Sequence, residues 1–87
     1  MKMNELSKLE NCFNMAKETN MKFVGVKIQM QGFEKPEVII NENENITAKL
    51  AYYKKAYNED LTLKAFNGIK IIGFTYGDSY NQIEIDL

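Results

Sequence analysis

Leu61-Thr62-Leu63-Lys64-Ala65-Phe66-Asn67-Gly68-Ile69-Lys70-Ile71-Ile72-Gly73-Phe74-Thr75-Tyr76 is the stretch that decides how this chain folds. Two β-prone runs flank Asn67-Gly68, a pair suited to the positive φ angles of a type I′ turn, so a tight hairpin is expected there. In the second run, strict alternation puts Ile69, Ile71 and Thr75 on one side and Ile72, Phe74 and Tyr76 on the other. Neither side is polar, as in a strand covered on both faces.

Immediately upstream, Ile46, Leu50, Tyr53 and Tyr57 recur at helical spacing, with Tyr52, Lys54 and Lys55 on other sides. A helix is expected from this run to about Asn58, its tyrosine rings covering the sheet and their hydroxyls reaching water. The preceding Asn41-Glu42-Asn43-Glu44-Asn45 is rich in capping side chains, and Asn41 with Glu44 resembles a capping box. Further back the period is two: Val24, Val26, Ile28 and Met30 alternate with Phe23, Gly25, Lys27 and Gln29. The segment 31–36 turns the chain, and Val38-Ile39-Ile40 makes a second, antiparallel strand once Pro36 is passed. At the N-terminus, Leu6, Leu9, Phe13 and Ala16, with Cys12 beside them, predict a helix over 4–19. Asn4 would be its N-cap and Asn20 the left-handed residue at its end. After Gly77-Asp78, Ser79 with Gln82 reads as a capping box opening a terminal helical turn that faces Ile83 and Leu87 inward. Ile83, Ile85 and Leu87 also alternate as an edge strand would.

These elements predict one α+β domain over 1–87. It has two main helices on one face of an antiparallel sheet of three or four strands, in the order α-β-β-α-β-β with a short C-terminal element. At 87 residues and 45% hydrophobic the chain has one core. A net charge of −1 supplies no positive field for nucleic acid, and every basic residue is lysine. Without Arg there is no planar fork for phosphates, and without His the usual neutral-pH proton shuttle and metal ligand are missing. Cys12, in an apolar stripe, reads as a buried hydrophobe rather than a nucleophile. No apolar run resembles a signal peptide or reaches the roughly 20 residues of a membrane span, so a cytoplasmic protein is expected.

Three strings, Gly32-Phe33-Glu34-Lys35-Pro36-Glu37-Val38-Ile39-Ile40, Lys49-Leu50-Ala51-Tyr52-Tyr53-Lys54-Lys55-Ala56-Tyr57 and Phe66-Asn67-Gly68-Ile69-Lys70-Ile71-Ile72-Gly73-Phe74, are similar to small accessory proteins of phages and prophages in AT-rich Gram-positive bacteria. The resemblance is one of style and carries no site residue. It implies an intracellular protein of a mobile element, one that interferes with host machinery or immunity in the host cytoplasm.

No nucleophile with a base, metal-ligand cluster or phosphate-binding glycine loop appears, so no enzyme, cofactor or metal is expected. The acidic pairs Glu42/Glu44 and Glu59/Asp60 sit at helix boundaries, where carboxylates complement the dipole. The leading reading is a non-enzymatic protein-interaction module that binds a host or phage protein or a second copy of itself. Its contact residues would be Phe23, Phe33, Ile39, Ile69 and Ile71, most of them on the sheet face away from the helices unless the C-terminal residues cover it. The alternative is a binder of a nucleotide-like signal, with Tyr52 and Tyr76 stacking a base and Lys54 and Lys70 neutralising phosphate.

Overall fold

A computed structural model describes residues 3–87. The element order is α1 (Glu5–Glu18), β1 (Phe23–Met30), β2 (Glu37–Glu42), a 3-10 turn (Asn43–Asn45), α2 (Ile46–Ala56), β3 (Ile69–Gly77) and α3 (Tyr80–Asp86). The sheet is antiparallel with order β2-β1-β3. The α+β class and the two main helices on one sheet face are as the periodicity predicts.

Local chemistry sets the ends of α1. Asn4 accepts from the Ser7 amide at 2.7 Å, and Asn20 takes φ of 57° to turn the chain out of the helix. Leu9, Phe13 and Ala16 are fully buried beneath it. For α2 the expected capping box is absent. Asn41 belongs to β2 and is buried, and the helix follows the 3-10 turn with no side-chain cap at Asn45. Its rotation is as predicted: Ile46, Tyr53 and Tyr57 are buried, Leu50 is half-buried against the core, and Tyr52 is 51% exposed. Leu50→Ala is therefore expected to cost about 2–3 kcal/mol of stability. Tyr52→Ala should cost about 1 kcal/mol or less. Equal shifts in the denaturant midpoint would mean a rotated helix.

The deciding stretch differs from its local reading in two ways. Neither Asn67 nor Gly68 has a positive φ, so no type I′ turn forms. Phe66 to Ile69 closes instead by an ordinary turn, the Ile69 amide donating to the Phe66 carbonyl at 3.2 Å. No fourth strand precedes it. Residues 61–63 meet 69–71 across a longer loop, through Leu63 N to Ile69 O, Ile71 N to Leu61 O and a bridge between Thr62 and Lys70. Leu61 is the reason. It is 2% exposed and is held at φ of 68°, a strained angle for leucine that the core contact over-determines. Since the backbone at Gly68 is ordinary and an added Cβ meets only the movable ends of Gln31 and Phe66, Gly68→Ala should shift the melting midpoint little. A loss above about 1 kcal/mol would restore the tight-turn reading.

The second difference is a β-bulge. Lys27 pairs with Gly73 but Ile28 pairs with Ile71, leaving Ile72 as the extra residue, 50% exposed. The bulge reverses the alternation within β3, so Ile69, Ile71, Phe74 and Tyr76 all face α1 and α2. In β2 the parity is also the reverse of that expected. Ile39 and Asn41, paired with Val26 and Val24, face the helices, while Val38 and Ile40 lie on the second face.

That second face is covered by the chain itself. Ser79 caps α3 by accepting from the Gln82 amide at 3.1 Å, so the terminal element is a helix. Its Ile83 is fully buried on Gly25, and Leu87 lies over Gly25 and Gly73. The glycines allow this approach. A Cβ at Gly25 would overlap Ile83 Cγ2. Lys27 donates its ammonium to the Leu87 carbonyl.

Candidate functional site

Of the residues predicted to form a partner face, the structure keeps few together. Ile71 is 2% exposed and lies in the core; Ile39 and Ile69 are half-buried on the same helix-facing side. This corrects the expected apolar contact face, because the bulge and the parity of β2 turn those isoleucines inward. Phe23 lies on the opposite face, edge-to-face with Tyr80 at a centroid distance of 4.8 Å. Phe33 alone of the five is freely accessible, at 66% exposure.

The residues predicted for a nucleotide-like ligand do not converge either. Lys54 is paired with Glu10 at 2.8 Å, and Lys70 and Tyr76 lie at opposite ends of β3. Tyr52 belongs to a tyrosine cluster, with ring centroids 5.3 Å from Tyr53 and 6.5 Å from Tyr57, and Tyr53 meets Phe13 at 5.7 Å. Only Tyr52 of that cluster is open to solvent, its ring edge-to-face on the buried Tyr53.

Burial governs the titration of this core. It pushes the Tyr57 hydroxyl up to about 12, with Tyr52 and Tyr53 adding to the effect, and the Cys12 thiol up to about 11. Tyr53 is raised by burial too, against a lowering interaction with Asn41. A thiol held this far above its ordinary value is a poor nucleophile, in keeping with a structural Cys12. Both folded values exceed the ordinary 9.0 and 10.0. The neutral forms favour the fold, so their contribution is whole below about pH 9 and is lost as pH rises through about 12. The melting temperature is expected to fall over that window, and in Cys12→Ala the fall should begin nearer pH 10. A flat profile from pH 8 to 12 would show both groups to be solvated in the fold.

An open depression of about 590 Å³ lies beside Phe23 and Tyr80, with Lys22, Glu42, Asn43 and Glu44 around it. Asn43 stiffens one wall, its side chain donating to the Met21 carbonyl at 2.7 Å and its amide to the Lys22 carbonyl at 2.9 Å. Two carboxylates against one ammonium make it unsuited to phosphate. Nothing in the residue order singles out Tyr80, because its meeting with Phe23 depends on α3 crossing the sheet. Among the described residues no group of three or more His, Cys, Asp or Glu could hold a metal ion, and no helix is long and apolar enough to cross a membrane. Asp60, in the turn before Leu61, accepts from the Thr62 hydroxyl at 2.6 Å and amide at 3.0 Å. Those bonds, with Lys70 nearby, hold its carboxyl below the usual range and mark a turn rather than a catalytic acid.

The sheet edges differ. Residues 61–63 cover the start of the outer edge of β3, whereas no strand among the described residues pairs with the outer edge of β2. Just past the end of β1, the Gln31 backbone amide donates to the Gly68 carbonyl at 2.7 Å and ties two loops together. Phe33 and Phe66, the latter 51% exposed, stand two residues to either side of that bond. Compared with models of known protein families, with curated proteins and with solved structures, the chain matches none.

Proposed function

We propose that this chain is a non-enzymatic protein-interaction module, of the kind a phage or prophage uses to disable a host protein by occupying it in the host cytoplasm. The observation that supports it is the pair Phe33 and Phe66, exposed beside loops that are already ordered. The Phe33 loop is held by its own amide, which donates to the Met30 carbonyl at 3.1 Å, and by Gln29 Nε2, which donates to the Phe33 carbonyl at 2.8 Å. A large aromatic ring presented on an anchored loop loses little freedom when it enters a partner's pocket, which is how interface hot spots gain their affinity. Among the described residues twelve other hydrophobic side chains are buried, while these two rings stand in water.

Native mass spectrometry of the tagged protein, recovered from a Gram-positive host, is expected to find one protein partner in fixed stoichiometry. The Phe33→Ser, Phe66→Ser double variant should lose that partner while melting like the wild type. Capture that survives the double variant would reject the reading. So would a clear rise in melting temperature with linear or cyclic nucleotides that fades as salt rises, since that is the signature of a phosphate-bearing ligand.

A further inference from the structure

We infer that the outer edge of β2 is a docking site for an extended segment of the partner, apolar in its middle and basic at both ends. The inference rests on the protein-interaction reading and names the partner's chemistry. β2 offers six residues, Glu37–Glu42, whose outward backbone groups meet no strand among the described residues. An added strand satisfies such groups directly, and the neighbouring side chains select its sequence. Along the middle of this edge Val38 and Ile40 stand half-buried on one face and Ile39 on the other. A strand laid beside them shelters apolar surface on both sides if its own central residues are apolar.

Both ends carry a net negative charge. Glu37 and Glu42 are exposed at the two ends of the strand, and Glu34 and Glu44 lie just beyond them, against one amine at each end, Lys35 near the first and Lys22 near the second. Edge glutamates of this kind repel another acidic strand and attract a basic one, since opposite charges across a strand pair stabilise it and like charges do the reverse. The same charges disfavour a second copy as the occupant. A two-fold pairing of β2 with itself sets Glu37 of one chain beside Glu42 of the other at each end. The depression next to Glu42, where two carboxylates outnumber the one ammonium of Lys22 and Phe23 and Tyr80 stand beside them, suits the stem and head of a long basic side chain at that end.

The test uses two capped hexapeptides with the same Val-Ile-Thr-Val centre, one ending in lysines and the other in glutamates, titrated into the full chain and followed by backbone amide shifts. The lysine-ended peptide is expected to shift the amides of residues 37–42 and to bind about tenfold more tightly than the other. In the Glu37→Lys, Glu42→Lys variant, checked for an unchanged melt, the preference should reverse. Equal binding of the two peptides, shifts confined to residues outside β2, or an unreversed preference would each overturn the inference. If the lysine-ended peptide fails while the Phe33-dependent partner is still captured, the edge inference alone falls. If the peptide binds and no such partner is captured, the edge stands and the phenylalanine surface falls.

Discussion

Ile71→Lys is expected to abolish cooperative folding. Ile71 is 2% exposed and sits opposite Ile28 in the middle of the core, just before the bulge, so a lysine there has no path for its ammonium to reach water. Burying an unpaired charge costs several kcal/mol even after local relaxation. A domain of this length has only about 4–13 kcal/mol of total stability. Circular dichroism should show no sharp thermal transition, and amide resonances should collapse toward random-coil positions. Ile71→Val, which removes one methyl group, should stay folded and lose about 1 kcal/mol. A well-dispersed spectrum for Ile71→Lys would put Ile71 on an open face and remove the bulge that turns it inward.

The second large effect is expected on the other side of the sheet. Gly25→Val places branched carbon where Ile83 Cγ2 already lies, and Leu87 Cδ1, 3.2 Å from the added Cβ, closes another direction of escape. Ile83 is held on α3 and cannot rotate clear, so the helix must lift. The loss should be about 2–4 kcal/mol, combining overpacking with the exposure of Ile83 and Leu87. Protease should then cut within residues 79–87 while the α1, α2 and sheet core stays protected. A double-mutant cycle isolates the cause: Gly25→Ala with Ile83→Ala should be less destabilised than the two single changes added together. Strict additivity would mean that α3 does not rest on Gly25.

The two positions show where reading the residues in order succeeds and where it does not. Spacing alone places α1 between Asn4 and Asn20, turns Tyr52 outward on α2 and favours a helix after Ser79, because caps and helical periodicity act over one or two turns. For the candidate site less was legible. Phe33 stands in the open as expected, but Phe66 falls in a β-prone run that spacing alone makes a strand, and the Phe23–Tyr80 pair depends on where α3 crosses the sheet.

What the amino-acid order determined by itself was the kind of the three helices and three strands, the ends of α1 and the α+β class, since these rest on contacts between near neighbours in the chain. Only the tertiary structure decided which faces are inside. Val38-Ile39-Ile40 is apolar at both parities, and in Ile69-Lys70-Ile71-Ile72 the outward parity marked by Lys70 is shared by Ile72, so strict alternation leaves the inward side of β2, and of β3 past Ile71, unspecified. Packing then chose. A bulge at Ile72 brought Ile69, Ile71, Phe74 and Tyr76 to the same side, and Asn41 was taken into the core beside Val24, its Nδ2 donating to the Val24 carbonyl at 3.3 Å. At Asn67-Gly68 a local turn preference of about 1 kcal/mol yielded to the burial of Leu61, which is worth about 1.5–3 kcal/mol and depends on residues far along the chain.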